Sequence, residues 1–131
     1  MRHIELLKTD FFKIEYNAIN EILVANWSGA LTNEAIVNGY ENIALFLKKQ
    51  SCRKLLDNHL EVQGIWSDQA KWVAHDWHPR AEKNGLQYHA CVYPKSVFSR
   101  LSTEQTIKMV QKGIVAGFDT HATAENWLND F

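Results

Sequence analysis

Only two cysteines, two prolines and six glycines occur among the 131 residues of the chain, and these scarcities exclude whole classes of protein. Two cysteines cannot make the multi-bridge framework of a small secreted scaffold. Nor do they suit each other. Cys52 opens one expected strand and Cys91 lies near the end of another. If those strands run parallel and in register, an offset of about four residues at roughly 3.3 Å each separates them by about 13 Å. A disulfide needs Cα atoms within about 7 Å. Reduced thiols and a cytoplasmic location are therefore the expectation. No stretch rich in Pro, Gly or Ser marks a linker, no segment is of low complexity, and no repeat is visible.

Charge of one sign is also missing. Fourteen Lys and Arg face fifteen Asp and Glu, a formal net charge of -1. Nucleic-acid binding needs a clustered basic surface, so that class is set aside, and nothing pulls the chain toward anionic membranes. Apolar runs are short. Ile43-Ala44-Leu45-Phe46-Leu47 falls far below the ~20 residues that span a bilayer. Met1-Arg2-His3-Ile4-Glu5 lacks the apolar region of a signal peptide. No Gly-x-Ser-x-Gly nucleophile elbow occurs.

What is present suffices for a core. Apolar residues make up 46%, and a chain of this size buries roughly two-thirds of its unfolded surface. One domain over 1–131 is expected. Ile4–Leu7 reads as a short strand. Phe12, Ile14 and Tyr16 alternate with Lys13 and Glu15, the period of a half-buried strand. A turn at Asn17–Asn20 joins it to a strand over Glu21–Trp27, making a hairpin. Thr32 then caps a helix whose stripe is Ile36, Tyr40, Ile43 and Leu47. Lys54–Asp57 is a short strand, followed by a loop to Gly64. Ser67 caps the next helix, with Ala70, Val73, Trp77 and Ala81 inward and a kink or break at Pro79. Gln87–Tyr93 is a strand. Val97, Phe98 and Leu101 suggest a helical turn. Ser102-Thr103-Glu104-Gln105 reads as a capping box that opens a helix to about Lys112. Ile114–Phe118 is the last strand, and Ala124, Trp127, Leu128 and Phe131 stripe a final helix. A β-hairpin followed by alternating helices and strands implies an α/β fold with a mixed, mainly parallel sheet.

That order, and several segments within it, resemble the bacterial STAS/SEC14-like domains of the SpoIIAA-like superfamily. The segments are Ile22–Gly29, Leu55–Asn58, Trp72-Val73 with Asp76–Ala81, Ala90–Pro94 with Val97-Phe98, and Phe118-Asp119 leading to Asn126–Leu128. Together they cover nearly the whole chain. The resemblance implies a small regulatory or binding domain rather than an enzyme. In anti-sigma-factor antagonists of the family an Asp-Ser-Ser element at a helix start carries a phosphorylated serine. The matching place reads Ile65-Trp66-Ser67-Asp68, without the preceding acid or the second serine. Lipid-transfer members are much larger, and a lipid cavity would hollow out a core of this size.

Candidate site residues follow from the fold. Ligands of open α/β sheets favour the carboxyl ends of parallel strands. Asp57, Asn58, His59 and Tyr93 stand at those ends, and Trp66 and Ser67 join them as a possible ligand rim. The plainer reading is that strand ends are polar because loops must satisfy backbone groups, and that Ser67 is a cap. Trp72 falls about 140° from Trp77 on a helix, beside His75 and Asp76, which makes that face a candidate partner surface. His75 and His78 share a face, but no third ligand stands at a recognisable spacing, so no metal and no cofactor are expected. The leading functional expectation is a non-enzymatic STAS-like module acting through protein contacts, self-association included. The alternative is a small-ligand site at the strand ends. An enzyme would need a convergent arrangement, such as Asp57 orienting His59 as a base.

Overall fold

A computed structural model of the chain describes residues 3–110 and 114–131. Six strands form one sheet in the order of the sequence: β1 His3–Lys8, β2 Phe12–Asn17, β3 Ile22–Ala30, β4 Lys54–Gln63, β5 Tyr88–Val92 and β6 Ile114–Phe118. The first three make an antiparallel meander, and β3 through β6 are parallel. The α/β class, the hairpin and the mainly parallel remainder are as expected. At the hairpin turn the Asn17 side chain accepts from the N–H groups of Ile19 and Asn20, at 3.1 and 3.3 Å.

Helix α1, Asn33–Lys49, follows the sequence pattern. Thr32 accepts from the N–H of Ala35 at 3.0 Å, and Ile36, Tyr40, Ile43 and Leu47 are all buried. Gly39 lies on its inner face because the Trp27 indole occupies the space a Cβ would need. From β3 to β6 each strand is laid on the same side of its predecessor. Crossovers of one hand then deliver every intervening helix to the same face. Helix α1 and the helical run after β4 bury Leu23, Ala25, Trp27 and Leu55 there. Past β6 the chain returns over the other face. Helix α5, His121–Asn129, is capped by Thr120 and seats Ala124 and Leu128 on Ile22, Val24, Leu56, Ala90 and Val92. Strands β4 and β5 are thus covered on both sides, which their apolar character required.

Three local expectations fail for identifiable reasons. Strand β4 does not stop at Asp57 but runs to Gln63. Its extension pairs Glu61, Val62 and Gln63 with Ser28, Gly29 and Ala30, beyond a register shift in β3. The helix over Ser67 to Ala81 begins as a 3-10 turn, Ser67–Gln69, with no side-chain cap bond. It continues as α2, Ala70–Trp72, a π turn at Val73–Trp77, and α3, His78–Lys83. The wider π turn falls just ahead of Pro79, where the sequence predicts a kink or break, and α3 follows directly with the proline in its first turn. Finally, Ser102 caps nothing. Helix α4, Arg100–Met109, starts before it, and its hydroxyl is turned inward to accept the N–H of Trp66 at 2.8 Å. The expected continuation to Lys112 lies outside the described residues.

Candidate functional site

The extension of β4 changes what Asp57 and His59 are. Side chains alternate across a strand, so Leu55, Asp57 and His59 share the face beneath α1. In β5, His89 and Cys91 take the same face, with Cys91 directly beside Asp57. The result is a polar centre in the middle of the larger core. Asp57, His59, His78, His89 and Cys91 are all buried. One oxygen of Asp57 accepts the Trp27 indole N–H at 2.7 Å and lies 3.1 Å from His59 Nε2. The other accepts the Tyr40 hydroxyl at 2.6 Å and lies 3.0 Å from His89 Nε2. Behind His59, its Nδ1 meets Thr103 Oγ1 of α4 at 3.3 Å. Behind His89, its Nδ1 meets His78 Nε2 at 3.3 Å, and His78 Nδ1 meets Glu82 at 2.7 Å. Cys91 Sγ stands 3.4 Å from His89 Nε2.

These neighbours set the ionisation of the centre. Burial opposes a charge on Asp57, but the charges and hydrogen bonds of His59 and His89 outweigh it and hold the carboxyl well below the usual carboxylate range. Burial, and then the Asp57 carboxylate, push the Tyr40 hydroxyl and the Cys91 thiol well above their ordinary values. Burial and the adjacent His89 lower His78 to about 4. Aromatic rings wall the centre. Trp27, Tyr40 and Trp77 stand in tilted or edge-on contact, and Trp66 lies over His59 at 5.4 Å. The Trp66 indole N–H is buried without a partner among the described residues.

The expected ligand rim therefore does not assemble. Asp57, His59 and Trp66 belong to the interior, because β4 continues past them. Asn58 is on the opposite face, its amide donating to Asn26 at 2.8 Å. Ser67 is half-buried at the start of the 3-10 turn. Tyr93 lies under the Arg100 guanidinium, 3.8 Å from its ring, with its hydroxyl filling the space beside Gly117. On the expected partner face His75 and Asp76 are exposed, and its side chains make contacts of their own. Trp72 is half-buried against the core beneath the Arg80 guanidinium. Arg80 pairs with Asp76 and Glu41, both at 2.9 Å, and His75 meets the Met109 carbonyl at 3.2 Å. His75 and His78 do not converge: the first is exposed, and the second is buried toward His89. Because Ser67 makes no cap bond, Ser67→Ala is expected to leave the urea midpoint unchanged within about 0.5 kcal/mol. The ~1 kcal/mol loss of a working N-cap would contradict that reading.

A cleft does exist at the carboxyl ends of the strands, one step further along than Asp57. It encloses about 480 Å³ and is lined by Leu60–Gly64 of β4 and its following turn, and by Lys95, Ser96, Phe98 and Ser99. It forms because β5 ends at Val92 while β4 runs on, so the β5-facing edge of β4 is uncovered. The N–H of Lys95 donates to the Leu60 carbonyl at 3.3 Å and fixes the cleft's floor. Lys95 pairs with Glu61 at 2.8 Å in the open. Val97 and Phe98 are 82% and 64% exposed at its lip. Sequence reasoning missed this cleft because it took 58–64 for a loop. It missed His89, Cys91 and Tyr40 as polar-centre residues because each sat inside an apolar pattern. The signal available was the shared period of two in Leu55-Asp57-His59 and His89-Cys91.

No family model matches the chain, and neither a curated protein nor a solved structure matches it.

Proposed function

We propose that the protein is a non-enzymatic, STAS-like binding module that takes a small, largely apolar molecule with a polar end in the cleft at the strand termini. The cleft is the observation that carries this reading. Its volume falls in the range of small-molecule sites, which are concave and mostly apolar with a few polar groups. It lies where open α/β sheets place ligands. Phe98 offers an apolar wall, and Lys95 with Glu61 offers charges of either sign at the mouth. The order of a hairpin and successive βα units along one sheet supports the SpoIIAA-like likeness. Support for a non-enzymatic role comes from the polar centre: Asp57 and His59 are sealed under α1 and α4, where a general base would meet no substrate.

A second reading, contact with a protein partner, has one specific observation in its favour. Val97, Phe98 and Leu101 are all exposed around the same cleft, and exposed aromatics are common anchors of interfaces. Thermal melts across a metabolite panel separate the readings. A ligand that raises the melting temperature of the wild type is expected to bind at least about tenfold more weakly to Phe98→Ala and to the cleft-filling Ser96→Trp. A stabilising ligand indifferent to both substitutions would refute the assignment of the cleft.

A further inference from the structure

We propose that Asp57, His89 and Cys91 form a buried binding site for a divalent transition metal of the zinc class. One donor atom from each of Asp57, His89 and Cys91 falls within 4.8 Å of the others. The closest approaches are 3.0 Å from carboxylate oxygen to His89 Nε2 and 3.4 Å from His89 Nε2 to the sulfur. Donors around a tetrahedral ion bound at 2.0 to 2.3 Å stand about 3.3 to 3.7 Å apart, so these two separations are close to that spacing. Oxygen, imidazole nitrogen and thiolate together suit zinc or cobalt better than magnesium or calcium.

The far side of the His89 ring supplies the second argument. His89 Nδ1 meets His78 Nε2 at 3.3 Å, and His78 Nδ1 meets Glu82 at 2.7 Å, so the second nitrogen of the ligating ring has a partner behind it. Metal-bound histidines ordinarily donate their second ring N–H in this way, and ligating carboxylates are themselves hydrogen-bonded. Trp27 and Tyr40 do this for Asp57.

Charge closes the account. No Lys or Arg side chain contacts Asp57 among the described residues. A doubly charged ion with the Asp57 carboxylate and the Cys91 thiolate is neutral, as a buried site should be. Entry of the ion displaces the proton of the Cys91 thiol. Because the donors are sealed, the ion is taken up as the chain folds rather than through an opening. Spacing in the sequence pointed to His75 with His78 for a metal. The structure assigns the ligand role to side chains from two neighbouring strands instead.

The test uses the untagged full chain, refolded from denaturant with one equivalent of Zn(II) or Co(II) and then dialysed. The wild type is expected to retain about one equivalent of zinc. With Co(II) it should show visible d–d bands and a near-ultraviolet thiolate-to-metal band. Cys91→Ala should lose the thiolate band, and Cys52→Ala, which alters the other buried thiol, should keep it. Wild-type protein that refolds but retains less than about a tenth of an equivalent overturns the proposal. A cobalt spectrum unchanged in Cys91→Ala overturns it equally. The wild-type stoichiometry decides the matter even if Cys91→Ala does not fold.

Discussion

Replacing Trp77 with alanine is expected to unfold the protein or remove most of its stability. Trp77 is fully buried. Its indole N–H donates to the Tyr40 carbonyl of α1, and its ring meets Tyr40 edge-on at 4.7 Å. It also touches His78 and His89, with ring centres 5.7 and 6.0 Å away. One side chain thus joins the helical run after β4 to α1 and to the polar centre. Truncating a buried Trp costs about 3–5 kcal/mol, against a total of about 5–15 kcal/mol for a domain. Trp72→Ala is the internal comparison. Trp72 is only half-buried, and one side is covered by the exposed Arg80 guanidinium. Its loss should cost about 1 kcal/mol. Urea denaturation of both variants measures the difference, and losses of equal size would show that Trp72 is a core residue after all.

Asp57→Ala is expected to be nearly as damaging, by a different mechanism. The substitution removes little apolar surface but strands the groups that converge on the carboxylate: the Trp27 N–H, the Tyr40 hydroxyl, His59 and His89. Removing one member of a buried charged network typically costs about 3–5 kcal/mol, because its partners stay buried without compensation. Asn58→Ala, one residue along and on the other face, loses a partly buried side-chain bond to Asn26 and should cost about 1 kcal/mol. Denaturation midpoints for the pair check the claim. An Asp57→Ala protein as stable as Asn58→Ala would mean that the centre contributes little to the fold.

The contrast between these two residues shows what was legible in the sequence. Alternation and helical period located β2, α1, β5 and α5, because apolar side chains there do face the core. Thr32 was legible as a cap because its helix begins where the stripe begins. Ser67 and Ser102 carried the same signature and cap nothing. Ser67 opens a 3-10 turn, and Ser102 is drawn inward by the Trp66 N–H, a partner 36 residues away in sequence. Such a choice is tertiary, and local pattern does not contain it. The candidate site suffered from the same blindness. Asp57 and His59 look like the polar end of a short strand, since a run of Asp-Asn-His in sequence ordinarily faces water. Only the partners supplied by β3, α1, α4 and β5 make their burial tolerable. Once they are buried, β4 continues, and the strand-end cleft moves along to Leu60–Gly64.

The sheet order has a consequence for how the molecule is made. Because strand rank in space equals strand rank in the chain, no strand has to be inserted between two that are already paired. Each new strand adds to a growing edge, beside the one synthesised just before it. Every pairing therefore closes only the single connection that precedes it, and no pairing spans a whole intervening strand. A nascent chain can zip the sheet from β1 toward β6 as it emerges, leaving α5 to seal the second face last. The growing edge is occupied by β4 while the residues of the polar centre from β5 are still to come, so Asp57 and His59 wait half-enclosed until His89 and Cys91 arrive beside them.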